Sequence, residues 1–399
     1  MCGNKNSDNP DFGDADSLVT IDIDAVTSNW QTLNSRNGAS TETAAVVKAD
    51  GYGLDATRLA PCLADAGCHT FFVMSLAEAV ALRAALDDTR HSRTAIYTLS
   101  GCHPGQEAGF RAHRITPVIN SLEQLQRLMA TGDQWQVAIH VDTGMTRLGL
   151  DRTELATLRD MMTASAENGQ GGLGKVTPCL VMSHLTSGED RQDPANARQL
   201  VDFNNLRALF PNVPASLGNS AGTLLGSDYA FQMTRPGIAL YGLHPAGMDT
   251  EGVQEDEAAL LQPAVTWQAR ILQHRHARKG ESVGYNGTYV LERDSRIATV
   301  GVGYADGYPR SLGNRAKVVI GGRTAPVVGR VSMDSITVDV TDIEAGLVED
   351  AGHATVLGAG YSLAQMAADA GTIGYEILTQ LGRRPKRRFK GGQKRETEA

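Results

Sequence analysis

Cysteine is scarce in this 399-residue chain, which has five: Cys2, Cys62, Cys68, Cys102 and Cys179. They are too few and too scattered for a disulfide framework, and no two have the CxxC spacing of a metal site. Free thiols in a reducing, cytoplasmic setting are therefore expected, and no metal. Long apolar runs are missing as well; none approaches the roughly 18 residues that span a bilayer, so no membrane partner is expected. The first sixteen residues, MCGNKNSDNPDFGDAD, lack the apolar core of a signal peptide and suggest a flexible extension over 1–17. Basic excess is absent too. With 37 basic against 45 acidic residues the net charge is −8, which disfavours nucleic acid. One basic stretch, RRPKRRFKGGQKR (383–395), stands out, and it is expected to be the solvated end of the last element.

What the chain does have is alternation. The apolar runs AAVV (44–47), FFVM (71–74), AIYTL (95–99), ITPVI (115–119), VAIHV (137–141), CLVM (179–182), PASLG (214–218) and GIALYG (237–242) are separated by amphipathic stretches such as SLAEAVALRAALDD and SLEQLQRLMATG. Eight buried strands joined by helical crossovers imply a (β/α)₈ barrel over 18–250, with a doubly wound sheet as the alternative. After the charged linker EGVQEDEAA the texture changes. Short β-rich runs with Gly, Asn and Asp turns predict a mainly β domain over 251–399, which the strand around 18–24 would join.

Barrel chemistry sits where strands end. Lys48 closes the first run, and a lysine in apolar surroundings has a lowered pKa that frees its amine as nucleophile or base. For Lys48 alone, a side chain snorkelling from a strand end is the commoner explanation. Tyr52 follows among glycines, which favour close approach of backbone to a ligand. IHVDTGMTRLGL carries Asp142, Gly144 and Arg147, and the arginine is suited to gripping an anionic oxygen. His184 ends another strand. Asn219 and Ser220 lie in LGNSAGT, where a beginning helix suits a phosphate, although a simple N-cap is commoner. Arg235, Pro236 and Gly237 follow, and Tyr285 and Tyr304 lie beside glycines in the β domain.

Taken in order, VVKADGYG, HVDTGMTRLG, NSAGT, RPGIALYG, VGYNGTYV, GYADGYPR, GRVSMD and GYEILTQLG resemble bacterial alanine racemase from about residue 18 to 390. The resemblance implies a pyridoxal 5′-phosphate enzyme that interconverts L- and D-alanine, for cell-wall peptidoglycan, as a homodimer with shared active sites. Lys48 matches the lysine that carries the cofactor. Tyr52, Asn219, Ser220, Gly237, Ile238 and Tyr375 match positions that hold it, largely at its phosphate. Arg235 matches the arginine facing the pyridine nitrogen, with His184 as its neighbour against the ring. Arg147 matches the arginine near the cofactor's phenolic oxygen and the substrate carboxylate, Met333 matches the residue whose backbone N–H contacts that carboxylate, and Tyr285 matches the second base, supplied by the other subunit. Glu189, Tyr304, Arg310 and Arg330 fall at the entryway.

Two positions depart from the pattern. Many relatives carry a carbamylated lysine where His140 stands, so Arg147 is expected to be held by an anion, by His140 or by another side chain. Asp50 replaces a frequent asparagine and could raise the pKa of Lys48 or point to solvent. A racemase of broader scope (serine, lysine or arginine), a related decarboxylase and a non-catalytic cofactor carrier are the competing readings. Arg147 and Arg235 disfavour the decarboxylase, and the β domain disfavours the carrier.

Overall fold

The structure, a computed structural model, describes residues 10–87, 90–167, 173–247 and 260–392. The expected linker EGVQEDEAA, Cys2 and residues 1–9 of the expected extension lie outside them. The chain forms two compact units, one containing Val26–Ala246, the other the residues before Val26 together with Gln262 onwards.

In the first unit, β2 (Glu42–Thr43), β3 (Ala45–Val46), β4 (Thr70–Val73), β5 (Ala95–Thr98), β6 (Thr116–Ile119), β7 (Trp135–His140), β8 (Val176–Met182), β9 (Ala215–Ser216) and β10 (Met233–Thr234) are the strands. From β3 to β9 each pairs in parallel with the next in sequence order, and β10 pairs in parallel with β2. Backbone hydrogen bonds close the ring: Glu42, Ala44 and Val46 donate to the carbonyls of Gln232, Thr234 and Pro236, while Gln232 and Arg235 donate to those of Ala215 and Gly218. Since β2 and β3 are one strand interrupted at Ala44, the result is an eight-stranded parallel barrel.

Its crossover helices begin where sequence chemistry says they should. Ser121 Oγ accepts from Gln124 N (3.2 Å), and Asp193 Oδ1 accepts from Ala195 N (2.8 Å) ahead of Pro194. Helix Leu76–Asp87 buries Ala79, Leu82 and Leu86 on one face. Each fully buried leucine contributes about 1.5–3 kcal/mol relative to exposure. One strand differs from expectation. GIALYG is not the eighth strand; Ile238–Tyr241 is a 3-10 turn, and the strand is Met233–Thr234 just before it. Pro236 has no N–H to continue the ladder, and the chain turns at Gly237.

The second unit is built on a mixed sheet. β1 (Ser17–Asp22) lies between β11 (Val265–Ala277), antiparallel, and β19 (Lys386–Lys390), parallel. β14 (Ser295–Val300), β15 (Lys317–Ile320), β16 (Arg323–Pro326), β17 (Ile336–Asp339) and β18 (His353–Leu357) extend it around Trp267, which is fully buried. A small antiparallel hairpin, β12 (Ser282–Val283) with β13 (Tyr289–Val290), stands apart. The basic run forms the last strand, half-buried or exposed along its length. Residues 386–390 form β19, with Lys386 paired to Asp11 (3.0 Å) and Lys390 to Asp22 (3.1 Å).

Candidate active site

Lys48 follows β3 directly at the C-terminal mouth of the barrel. Burial and the Arg147 charge hold its ammonium below the usual lysine range, while Glu78 opposes them. The next four residues, Ala49 to Tyr52, all have left-handed dihedrals, with φ of 52, 54, 64 and 58°. For L-residues other than glycine that conformation costs about 1–2 kcal/mol each, so the turn must be held from outside. Ala49 N donates to Glu78 Oε1 (2.9 Å), and Ala56 N donates to Asp50 Oδ1 (3.0 Å). Asp50, though exposed, thus ties the turn to the start of the following helix, whose N-cap is Asp55, and it is not among the charges that shift Lys48.

The turn delivers Tyr52 into the barrel mouth. Its ring lies 5.0 Å from that of Tyr241, and burial lifts its phenol well above the usual range. A Cβ on Gly237 would sit 2.2 Å from Tyr52 Oη, so only glycine permits this approach. Ser220 Oγ accepts from Gly237 N (2.8 Å) and Ala239 N (3.3 Å), drawing the helix start and the turn Ile238–Tyr241 onto one locus. Asn219 caps that helix through Gly222 N (2.9 Å), and its Nδ2 lies 3.4 Å from His184 Nε2.

Arg235 is buried. It donates to Ser216 Oγ and to Ser183 O (2.5 Å), and its guanidinium lies 6.0 Å from the Phe72 ring centroid. Burial lowers its pKa to about 9, which still leaves it charged at neutral pH. Among the described residues no carboxylate pairs with it. Burial, then the charges of Arg235, Arg147 and Lys48, depress His184 to about 3, so it is neutral.

Asp142 shapes the loop that carries Arg147. Its Oδ1 accepts from Gly144 N and Met145 N (2.9 Å each), its Oδ2 from Thr146 N (3.0 Å). His140 bonds to Asn120, with Nδ1 2.8 Å from Oδ1. The oxygen can only accept, so Nδ1 carries the proton. Burial and Arg235 lower its pKa to about 4. Arg147 is exposed and has no protein hydrogen bond or ion pair among the described residues, so neither His140 nor another side chain takes the role expected of it.

In the second unit Tyr285 stands on the turn of the β12–β13 hairpin, 68% exposed. Gly284 before it packs against the Arg330 backbone. Tyr304 N donates to Ser332 O (3.1 Å) and Ala305 N to Met333 O (3.0 Å), which fixes Tyr304 beside Met333. Arg384 grips the buried Asp306 with two contacts of 2.6 Å and steadies that turn. Arg310 begins a short turn, and Tyr375 lies on helix Gly374–Thr379. Glu189, in the first unit, is exposed.

Two family models cover almost the whole chain: the alanine racemase N-terminal domain over residues 21–245 and the alanine racemase C-terminal domain over 264–389. The chain belongs to the alanine racemase family. The alanine racemase of Acidiphilium cryptum is 46% identical over 375 residues, covering 92% of this chain and 97% of that protein. That of Methylobacterium sp. (strain 4-46) is 41% identical over 375 residues, 93% and 97% respectively. The crystal structure of alanine racemase from Bartonella henselae, with covalently bound pyridoxal phosphate, superposes with a TM-score of 0.84 at 36% identity, covering 94% of this chain and all of that one.

The structure thus gathers Lys48, Tyr52, His184, Asn219, Ser220, Arg235, Gly237 and Ile238 in the barrel unit of this alanine racemase family member, and Tyr285, Tyr304, Arg330 and Met333 in its β unit. Sequence reasoning missed Glu78, Phe72, Ser216 and Asn120. Glu78 had a signal: in SLAE, Ser75 Oγ and Glu78 form a capping box at the helix start, and the same carboxylate holds Ala49.

Proposed function

We propose that this member of the alanine racemase family interconverts L- and D-alanine on bound pyridoxal 5′-phosphate, using Lys48 on one face of the substrate Cα and the partner subunit's Tyr285 on the other. The isomer produced for biosynthesis is D-alanine, the form that peptidoglycan takes up.

The residues fit that cofactor on chemical grounds. An amine of lowered pKa stands at the barrel mouth, a hydroxyl and a phenol converge with glycine backbone near a helix start, and among the described residues no acid pairs with the buried guanidinium. When bound, the cofactor supplies a conjugated electron sink that acidifies the substrate's α-proton. All else is the chain's work. Tyr52, Ser220 and the Gly237 backbone would hold the phosphate, with Asn219 bracing the helix start; the family resemblance assigns Tyr375 to the same group. Arg235 offers only N–H donors, so a ring nitrogen facing it can only accept. With Arg235 rather than an acid at that position, the bound ring would take up less charge and transamination would be disfavoured. His184, neutral, would be its neighbour there without adding charge.

Arg147 orients the substrate carboxylate, the group to which the family resemblance also assigns the Met333 N–H. Lys48 Nζ and the partner's Tyr285 Oη then take and return the proton on opposite sides, as inversion requires. By the family resemblance Glu189, Tyr304, Arg310 and Arg330 are the entryway positions that would limit substrate size. Support for the shared site comes from Tyr285 itself, a phenol presented outward on a hairpin turn. The observation that carries the reading is the depressed Lys48 amine directly after β3. The protein is expected to be yellow and to lose that colour on borohydride reduction, with Lys48→Ala colourless or readily stripped of cofactor. A Lys48→Ala protein that keeps the parent spectrum would refute it.

A further inference from the structure

Arg147 is exposed, and among the described residues nothing in the protein bonds to its guanidinium. Its aim is therefore set by the loop beneath it. That loop leaves β7 and is closed at its base, where Asp142 N donates to Leu150 O (3.0 Å) and Leu150 N to His140 O (2.8 Å). Thr146, immediately before Arg147, has φ 55°, a conformation that threonine adopts only where its surroundings impose it. Asp142 supplies part of that constraint through its bonds to the loop's N–H groups. Thr143, whose side chain is buried, supplies the rest.

Thr143 belongs to a chain of buried polar groups. Gln199, on helix Pro194–Arg207, donates through Nε2 to Thr143 Oγ1 and to His184 O, at 3.0 Å each. Its Oε1 accepts from Thr186 N (2.8 Å) and Thr186 Oγ1 (3.0 Å). A carbonyl only accepts and a backbone N–H only donates, so the amide has one possible orientation, and all four of its hydrogen-bonding positions are filled. Thr143 Oγ1 also lies 2.8 Å from Ser183 Oγ, and Ser183 O accepts from the Arg235 guanidinium (2.5 Å). Thr143, Ser183, Gln199 and Arg235 are all buried. A satisfied network in such surroundings is rigid, because each broken bond strands a polar group.

We propose that Gln199 and Thr143 are positioning residues: through the Gln199–Thr143–Ser183 bonds the barrel sets where Arg147 stands relative to Arg235 and His184, and with it the grip on the substrate carboxylate. That role rests on the reading of Arg147 as the group that grips the carboxylate. Three strand ends meet in the network. The loop after β7 brings Thr143, the segment after β8 brings Ser183, His184 and Thr186, and Arg235 follows β10. An arginine with no side-chain partner can thus serve a site of fixed geometry, because its loop is anchored at the base.

The test is calorimetric titration of the holoenzyme with propionate, which has alanine's carboxylate and lacks its amine. Thr143→Val removes the hydroxyl at nearly constant volume, and Gln199→Leu removes the amide on the other side of the same bond. Each should weaken propionate binding by about tenfold. The double variant should lose no more than either alone, and Thr143→Ser, which keeps the hydroxyl, should bind like the parent. Trypsin gives a reading without any ligand. In both single variants cleavage after Arg147 should quicken relative to cleavage after Arg58, exposed in the same unit, a ratio that a general loss of stability leaves unchanged. Propionate affinity that falls in Arg147→Ala but not in Thr143→Val or Gln199→Leu would overturn the proposal, and so would an unchanged tryptic ratio. Parent-like binding in Arg147→Ala would refute the reading of Arg147 itself, and the proposal with it.

Discussion

His140 shows how one residue sets both local order and pH response. Its imidazole is buried against Asn120; burial, then the charges of Arg235 and Arg147, outweigh the opposing charge of Asp142 and keep its pKa near 4. An unfolded chain restores it to about 6.5. Between those values the unfolded state binds the extra proton, so stability is full above pH 6.5 and lost as pH falls towards 4. From pH 7 to pH 5 this one group removes about 2 kcal/mol. Glutamine at that position keeps an N–H for Asn120 without a titrating ring. Chemical denaturation at the two pH values should therefore give His140→Gln a smaller loss than the parent, by about that amount; an identical loss would contradict the placement. Residues of this kind were hard to see in the sequence. His140 was visible as a departure from a motif, but its partner Asn120 lies just past the end of another strand, with no local pattern to announce it. Phe72 and Ser216 were hidden for the same reason: barrel-interior contacts join residues far apart in the chain.

At the scale of elements, the barrel was largely legible because a buried parallel strand is an apolar run bounded by turns. Seven of the eight runs expected as strands are strands or contain them. The eighth failed because GIALYG is buried in a turn, and an apolar run reports burial rather than conformation; the actual strand, Met233–Thr234, is too short to have a period. The left-handed turn from Ala49 to Tyr52 was also invisible, since only Gly51 among those four residues advertises positive φ. Its geometry depends on the turn opposite. At Gly237 an added methyl would meet Tyr52 Oη at 2.2 Å, so one of the two elements must retreat. Gly237→Ala should weaken cofactor retention at least tenfold, measured by recovery of absorbance when the stripped protein is titrated with pyridoxal 5′-phosphate. Unchanged affinity would mean that the two turns do not jointly form the phosphate seat.

For the whole molecule, the proposed reaction needs an amine from one chain and a phenol from another. Neither unit alone carries both groups, and Tyr285 is 68% exposed on its hairpin. In the proposed twofold dimer each of two sites would draw Lys48 from one protomer and Tyr285 from its partner. Mixing Lys48→Ala with Tyr285→Phe protein, each inactive by itself, tests this most directly. In a mixed dimer one site has lost both bases and the other has lost neither. With random exchange of equal amounts, half the dimers are mixed and half their sites are intact, so activity should rise to about a quarter of the parent's. If subunits demonstrably exchange and no racemisation of alanine returns, the two bases do not belong to different chains.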